Sequence, residues 1–334
     1  ALAMGVERMA RRHALIKRLS AVETLGCTTV ICTDKTGTIT KGEMTVTQVW
    51  VDDRIIKITG VGYEPYGDFV YEGKKIYRDD FAELGLLLEA VACCNTARII
   101  PPSDTRELWR IIGDPTEAAL LVAAQKGDLN IKQLLAEKPR YHMLPFDSKR
   151  KRMSCIHRHG ERMIAYVKGA PYEILSLSTH ILIDGTLTEL TEERTKEINM
   201  QVDNFAEAGL RVLAIAYRGI SPDLREYTVE NTEKNLIFIG LVAMLDPPRL
   251  EVKDAVRKVK QAAIKTIMIT GDYGLTAEAI AKQVGIIETS NCRVFTGTEI
   301  DQLSDDALSM ELDRKEVIFA RATPEHKLRI VTLL

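Results

Sequence analysis

Apolar runs alternate with amphipathic stretches from about residue 236 onward. Buried-type strands are predicted at residues 236–244, 266–269, 293–295 and 317–320, and residues at helical spacing form an apolar helix face between the first two. Strands and helices that alternate in this way predict a doubly wound parallel α/β sheet with right-handed crossovers.

An earlier apolar run, residues 28–33, stops abruptly at the polar loop 34–40, whose sequence is DKTGTIT. A second polar loop, residues 270–272, follows the strand 266–269 in the same manner. Parallel α/β sheets bind their ligands at the carboxyl ends of the strands. Both loops are therefore predicted to lie at the ligand-binding edge of one sheet.

The pattern changes in the middle of the chain. Short alternating strands at residues 46–51 and 54–58, separated by glycine and proline turns, predict an antiparallel α+β region. The simplest architecture is one α/β domain, formed by residues 23–45 and 236–334, that is split by an inserted domain of residues 46–235.

Two further helices are predicted, one from its ends and one from its apolar stripe. Asp114 caps the first, Pro115 lies in its first turn, Glu117 completes a capping box and Gly127 ends the helix. Residues 1–22 combine basic residues with an apolar stripe and predict an amphipathic helix. This helix is expected to continue from a segment that precedes the given sequence.

Composition and charge narrow the possible functions. The 334 residues suggest about two domains. The 45 Lys and Arg residues against 47 Asp and Glu leave a net charge of −2, which argues against a nucleic-acid partner. No apolar run approaches the roughly 20 residues needed to cross a bilayer, so this stretch is expected to be soluble. Six cysteines without a CxxC pair predict free thiols in a reducing compartment.

Asp34 is the leading candidate for a catalytic residue. A carboxylate at the end of a strand, followed by Gly37 and flanked by threonines, can attack phosphorus and form an aspartyl phosphate. Lys35, Thr36 and the loop amides can bind and neutralise the phosphoryl oxygens. Mg²⁺, which a phosphoryl site needs, can take one oxygen from Asp34. Taken alone, this loop could also be a capped polar turn.

The second polar loop and a later lysine supply possible partners. Thr270 can donate its hydroxyl to a phosphate, in the loop that also contains Gly271 and Asp272, and Lys327 can place a positive charge there. Thr36 stands where an aspartate would be available as a general base for water. The aspartyl phosphate is therefore expected to persist, which favours an energy-coupling enzyme over a simple phosphatase.

The inserted region offers a candidate nucleotide pocket. Phe146 could stack an adenine, and Lys151, within four consecutive cations, could approach the triphosphate. Lys168 follows a predicted strand and Arg211 begins another. Each residue also has a plain structural interpretation: Phe146 as a core residue, the basic run as a solvated face, Lys168 in a turn, and Glu117 as a capping residue.

Together these motifs resemble those of the P-type cation-transporting ATPases, in the same order and across nearly the whole chain. Residues 34–40 resemble the phosphorylation motif of that family, with isoleucine where leucine is commoner. The other matching segments are KGAP at 168–171, DPPR at 246–249, TGD at 270–272 and TPEHK at 323–327. Within the family the chain is most similar to the type II pumps, with the calcium branch preferred.

The resemblance implies a phosphorylation domain of the haloacid-dehalogenase type, interrupted by a nucleotide-binding domain, with residues 1–22 as a stalk. It implies ATP and Mg²⁺ as ligands and a place at the cytoplasmic face of a membrane. It also implies that Asp34 is the phosphorylated nucleophile, that Thr36 is a Mg²⁺ ligand and that Arg321 lies near the ribose. The remaining implied contacts are Thr270 and Lys327 for the phosphate, and Glu117, Phe146, Lys151, Lys168 and Arg211 for the ATP pocket.

Several family features are missing from the sequence. The GDGxND segment, the actuator domain and the membrane helices that would carry the transported cation are all absent, so the chain is interpreted as a truncated fragment. As such it is expected to bind ATP but to form phosphoenzyme poorly. Tyr172 and Tyr273 also depart from the commoner family patterns.

Three alternative functions remain. One is a soluble phosphatase of the same dehalogenase-like fold, which Thr36 and the long insertion both oppose. Another is a non-catalytic nucleotide-binding or regulatory module, which truncation would favour. The last is a scaffold without activity, which leaves the ordered motifs unexplained.

Overall fold

The computed structural model describes residues 2–12, 14–18, 21–104, 108–221, 224–289 and 291–334. The chain forms two compact units. One unit comprises Ala1–Ile39 and Pro248–Leu334, and the other comprises Thr40–Pro247. The architecture is mixed α/β, with a parallel sheet in the first unit and an antiparallel sheet in the second.

The strands are short in the first unit and mostly longer in the second. In chain order they are β1 (Val30–Thr33), β2 (Thr45–Val51), β3 (Arg54–Ile58), β4 (Phe69–Tyr71), β5 (Lys74–Ile76), β6 (Arg98–Ile100), β7 (Arg110–Ile112), β8 (Arg140–Asp147), β9 (Arg152–His159), β10 (Arg162–Gly169), β11 (Ser178–Ile183), β12 (Thr186–Glu189), β13 (Arg211–Ile220), β14 (Leu236–Leu245), β15 (Lys265–Ile269), β16 (Arg293–Thr296) and β17 (Val317–Ala320).

The α-helices range from one turn to about four turns. They are α1 (Leu2–Ala10), α2 (Ala21–Gly26), α3 (Ala82–Cys93), α4 (Pro115–Lys126), α5 (Ile131–Glu137), α6 (Pro171–Ser176), α7 (Glu192–Glu207), α8 (Val229–Thr232), α9 (Val252–Gln261), α10 (Gly274–Val284), α11 (Gly297–Gln302), α12 (Asp305–Leu312) and α13 (Pro324–Leu333). None of them, in the part of the chain that the structure describes, is long and apolar enough to span a membrane.

The parallel sheet has four strands in the order β1-β15-β17-β16, and every pairing in it is parallel. This confirms the parallel pairing predicted for the apolar runs that precede the two polar loops. β17 is buried throughout and β15 over its last three residues, whereas β1 is half-buried. The stacked rings of Phe295 and Phe319 lie 5.7 Å apart in the core. The burial of β15 and β17 explains why they are continuous apolar runs in the sequence.

The antiparallel sheet follows the order β5-β4-β3-β2-β14-β13-β10-β9-β8, with β11 and β12 joined beside β14. The run that we assigned to the returning α/β domain, residues 236–244, is β14 in the middle of this sheet, so that assignment was wrong. Val242 and Met244 face one hydrophobic core, whereas Phe238 and Leu241 face another. A strand covered on both faces has the same continuous apolar pattern in either kind of sheet.

The chain therefore passes between the units at 39/40 and 247/248, rather than near residues 45 and 236. Within the second unit, the amide of Lys41 donates to the carbonyl of Pro247 at 3.1 Å. The buried carboxylate of Asp246 accepts from the Thr40 hydroxyl at 2.5 Å and from the Gly42 amide at 2.9 Å. These bonds hold the entering and leaving segments together.

The single amphipathic helix expected over residues 1–22 is not formed. The described residues there form α1 and α2, and residues 14–16 have no regular structure. The Ala14 amide donates to the Met9 carbonyl at 2.9 Å and closes the end of α1. Residues 4–10 of α1 are half-buried or exposed, so the helix gains little free energy from packing and ending it costs little. Ala1, His13, Leu19 and Ser20 lie outside the described residues.

Candidate functional site

Asp34 begins the polar loop that follows β1, and the loop turns sharply two residues later. Thr36 has φ −74° and ψ 124°, and Gly37 has φ 75° and ψ −9°. These are the angles of a type II turn, whose third position requires a positive φ and therefore favours glycine. The guanidinium of Arg249 donates to the Gly37 carbonyl at 3.2 Å, and the backbone amide of Arg249 donates to the Ile39 carbonyl at 2.9 Å. Arg249 of the DPPR motif thus holds the loop in place.

Strand register brings the two polar loops to the same sheet edge. Thr33 at the end of β1 lies opposite Met268 in β15, so Asp34 and Thr270 leave neighbouring strands at nearly the same level. The Thr270 amide donates to the Phe319 carbonyl of β17 at 2.8 Å, which fixes the second loop against the next strand. This is the edge at which the sequence predicted a site.

Lys327 lies beside Asp34. The lysine ammonium donates to Oδ2 of Asp34, and both side chains are partly exposed, at 37% and 39%. Lys327 is placed by α13, which Thr323 caps by accepting the His326 amide and which Pro324 begins. Lys327 is therefore more than a solvated surface lysine, because it faces the candidate nucleophile.

The carboxylate of Asp272 accepts hydrogen bonds from three other predicted residues of the two polar loops. Its Oδ2 accepts from Lys35 Nζ at 2.5 Å, from Thr36 Oγ1 at 3.1 Å and from Thr270 Oγ1 at 3.3 Å. Burial alone would raise the pKa of Asp272, but the hydrogen bond and charge of Lys35 outweigh it and lower that pKa. Asp272 is thus held ionised, and Gly271 lies in the same turn.

A separate cleft of about 380 Å³ lies in the antiparallel unit. All five residues predicted to bind nucleotide there line it, together with side chains that the sequence did not single out. The full lining is Thr96, Asp114, Thr116, Glu117, Met143, Pro145, Phe146, Lys151, Met153, Lys168, Gly169, Arg211 and Leu213.

Glu117 lies at the back of this cleft in an ion pair rather than in a capping box. Asp114 caps α4 as predicted, accepting the amides of Thr116 and Glu117, but the Glu117 carboxylate turns away from the cap. It accepts from Lys168 Nζ at 2.8 Å and from the amide and hydroxyl of Thr96 at 2.8 and 2.5 Å. The charged partner overrides the local capping preference, so the capping interpretation of Glu117 was wrong.

The pair favours the charged form of Glu117 despite its burial. Burial would raise the pKa of Glu117, but the charge and hydrogen bond of Lys168, with those from Thr96, bring the pKa below its ordinary value. Lys168 lies at the end of β10 rather than in a turn, and both side chains are about nine-tenths buried. A fixed cation therefore faces the cleft. Thr96 had no sequence signal, because it lies in a loop without a motif.

Phe146 and Lys151 lie on the rim of the cleft. Phe146, at the end of β8, is 62% exposed and is not a core residue. Lys151 has a left-handed backbone with φ 53°, and its ammonium contacts Glu173 at 2.6 Å. Gly169 permits this turn to lie close to β10, since a Cβ there would come within 2.6 Å of the Lys151 carbonyl oxygen. Arg211, at the start of β13, completes the rim.

Arg321 belongs to the parallel-sheet unit. Its guanidinium carbon lies 4.0 Å from the ring centroid of Tyr273, and its amide donates to the Asp272 carbonyl at 2.9 Å. Tyr273, which departs from the commoner family pattern, therefore has a structural role in supporting Arg321 through a cation–π contact. The sequence alone gave no sign of this pair.

Comparison with known proteins identifies relatives of this chain. The family model described as P-type ATPase, cytoplasmic domain N, matches residues 83–251. A calcium-transporting ATPase of Bacillus subtilis is 38% identical over 333 residues, which are 99% of this chain and 37% of that protein. Calcium-transporting ATPase 1 of Bacillus cereus is 40% identical, over 100% of this chain and 34% of that protein. Cation-transporting ATPase pma1 of Synechocystis is 36% identical, over 100% and 37%.

The chain thus spans about a third of the length of these relatives, and the family model covers just over half of the chain. The segment that the family model matches includes α4, β10 and β13, three of the elements that line the cleft. On this evidence the chain belongs to the P-type ATPase family and contains its cytoplasmic domain N.

Proposed function

We propose that this chain is the ATP-binding and phosphorylation region of a pump that couples ATP hydrolysis to cation transport, with Asp34 as the phosphorylated residue. The names of the relatives support a cation, and calcium in particular, as the transported ion. The parallel-sheet unit would be the phosphorylation domain, of haloacid-dehalogenase type, and the antiparallel unit its inserted nucleotide-binding domain. Both would lie at the cytoplasmic face of a membrane.

In the cleft, the side chains suit the parts of a nucleotide. Phe146 offers an exposed ring on which an adenine can stack, in a cleft that Met143 and Leu213 also line with apolar side chains. Lys151 and Lys168 supply positive charge for the phosphates. One cleft can thus offer groups for both the base and the phosphates.

At the sheet edge, Asp34 would attack the terminal phosphorus. One carboxylate oxygen forms a bond to phosphorus while the bond to the β-phosphate oxygen breaks, so ADP leaves and an aspartyl phosphate remains. Lys327 reduces the repulsion between the carboxylate and the incoming phosphate. The Thr36 hydroxyl donates a hydrogen bond to Asp272 and cannot act as a general base for water, so the phosphoenzyme should persist.

Mg²⁺ fits this edge in the manner usual for phosphoryl-transfer sites. Within the described residues, no group of three or more His, Cys, Asp or Glu side chains could hold a metal. Mg²⁺ typically binds one or two carboxylates and takes its other ligands from substrate phosphates and water. Asp34 and Thr36 are the proposed protein ligands, and bound Mg²⁺ would neutralise charge on the transferred phosphoryl group.

The observation that carries the proposal is the convergence of Glu117, Phe146, Lys151, Lys168 and Arg211 on one cleft. Calorimetric titration of the chain with ATP tests it, and we expect saturable binding. Phe146→Ala should weaken ATP binding by about tenfold, because stacking of a base on an aromatic ring contributes about 1–3 kcal/mol.

Tyr141→Ala is the matched control. Tyr141 lies on the same strand, is 64% exposed and packs against Tyr227 rather than lining the cleft. It should leave the affinity for ATP unchanged. Absence of saturable ATP binding, or equal effects of the two substitutions, would contradict the proposal.

A further inference from the structure

A buried carboxylate lies beside the turn that carries Lys151. The side chain of Glu233, which follows α8, is fully buried. It accepts from Arg152 Nε at 2.6 Å, from Ser154 Oγ at 2.6 Å and from the guanidinium of Arg150. Burying a carboxylate is costly unless charged and hydrogen-bonded partners compensate it, and here two arginines and a hydroxyl do so. Glu233 itself does not line the cleft.

The two arginines flank Lys151 in the sequence. Arg152 Nη1 also donates to the carbonyl of Arg150 at 3.0 Å, and Arg150 Nη2 donates to the carbonyl of Pro145 at 2.5 Å. Pro145 and Lys151 both line the cleft. Glu233, through its bonds to Arg150 and Arg152, therefore fixes the turn from Pro145 to Arg152 at both of its ends.

The side chain of Lys151 contacts a different carboxylate from those of the two arginines. Its backbone is left-handed, its amide donates to the Asp147 carbonyl at 2.7 Å and its carbonyl accepts the Ala170 amide at 2.9 Å. Its ammonium reaches Glu173 instead of Glu233. Of the consecutive cations at 149–152, the two arginines are thus withdrawn toward a buried anion while Lys151 remains at the cleft.

We infer that Glu233 is a positioning residue that selects Lys151 as the phosphate-facing cation. This inference rests on the proposed function. Neighbouring cations repel one another, and without Glu233 the arrangement of Arg150 and Arg152 would lose its anionic partner and keep only the hydrogen bonds to the Pro145 and Arg150 carbonyls. Removing the buried anion should release both arginines and displace Lys151, whereas the apolar part of the cleft that suits a base would remain.

A double-mutant cycle on the full chain tests this inference, with ATP and adenosine as ligands in calorimetric titrations. Glu233→Gln should weaken ATP binding by about tenfold and adenosine binding by less than about twofold. Lys151→Ala should likewise weaken ATP binding more than adenosine binding. If Glu233 acts through Lys151, the double variant should bind ATP no more weakly than Lys151→Ala alone.

Two further variants guard against a purely structural effect. Glu233→Asp keeps the charge but shortens the side chain, and it should lower ATP affinity by about threefold with little effect on adenosine. Glu89→Gln is the matched control, since Glu89 is a largely buried carboxylate that accepts from Lys138 at 2.6 Å and does not line the cleft. It should leave the ratio of ATP to adenosine affinity unchanged.

Losses that add in the double variant, or equal loss of ATP and adenosine affinity in folded Glu233→Gln or Glu233→Asp, would overturn the inference while the proposed function stands. A wild-type chain that binds no ATP would overturn both. A melting profile of each variant identifies the folded ones.

Discussion

At the scale of the residue, three carboxylates that the proposal uses are each paired with a lysine. Asp34 contacts Lys327, Glu117 contacts Lys168, and Asp272 contacts Lys35. A carboxylate that must be approached by an anionic phosphate is repelled unless a cation offsets its charge. On the proposed function, the pairs would therefore prepare both sites for phosphate before any ligand arrives.

The Glu117–Lys168 pair predicts how stability depends on pH. Because the folded pKa of Glu117 lies below its ordinary value, the pair stabilises the protein fully above the unfolded pKa of about 4.3. That stabilisation should be lost as the pH falls through the lower folded pKa. Urea titrations should show wild type more stable than Glu117→Gln by about 3 kcal/mol near pH 7, with the difference shrinking below about pH 4.

Glu7→Gln serves as the control for this prediction. It breaks an exposed pair with Arg11 and should change the free energy of unfolding by less than about 1 kcal/mol. A difference between wild type and Glu117→Gln that stays constant down to about pH 3 would show that the ion pair is not its source.

Gly169 gives a second prediction at this scale. An added Cβ would lie 2.5 Å from Arg152 Cβ and 2.6 Å from the Lys151 carbonyl oxygen, so Gly169→Ala must displace the turn that carries Lys151. We expect a loss of about 1–3 kcal/mol in the free energy of unfolding, measured in urea, together with weaker ATP binding. Gly219→Ala, on β13 where a Cβ meets nothing within 4 Å, should change neither.

At the scale of the element, the sequence predicted those features that depend on local chemistry. The end of β1 at a polar loop, the Asp114 cap and the start of β13 at Arg211 all follow from propensity and capping. The ion pair of Glu117 depends on Lys168, which is distant in sequence, and no local pattern contains that information. The role of Glu233 was missed for the same reason.

The cap of α4 is predicted to matter for both stability and binding. Asp114→Ala removes the acceptor for two amides at the start of the helix that holds Glu117, and it should cost about 1 kcal/mol of stability and weaken ATP binding severalfold. Thr191→Ala removes the corresponding cap of α7, which carries no residue of the cleft, and should cost similar stability with unchanged ATP affinity. Equal ATP affinities in the two variants would refute a role of the cap in the cleft.

At the scale of the whole molecule, periodicity predicted one parallel sheet and one antiparallel region but not where the chain passes between them. The position of β14 was wrong because a continuous apolar run is compatible with either sheet, and only its pairing with β2 and β13 decides. The order of the motifs was the better guide, since it does not depend on where a domain begins.

The central claim is that Asp34 accepts the terminal phosphate of ATP. The most direct measurement is to replace the matching third of the Bacillus subtilis calcium-transporting ATPase with this chain and to incubate the membranes with Mg²⁺ and ATP radiolabelled in its terminal phosphate. We expect an acid-stable, hydroxylamine-sensitive label that maps to Asp34 and is absent from Asp34→Asn. A label that persists in Asp34→Asn, or an ATP-binding chimera that is never labelled, would contradict the account.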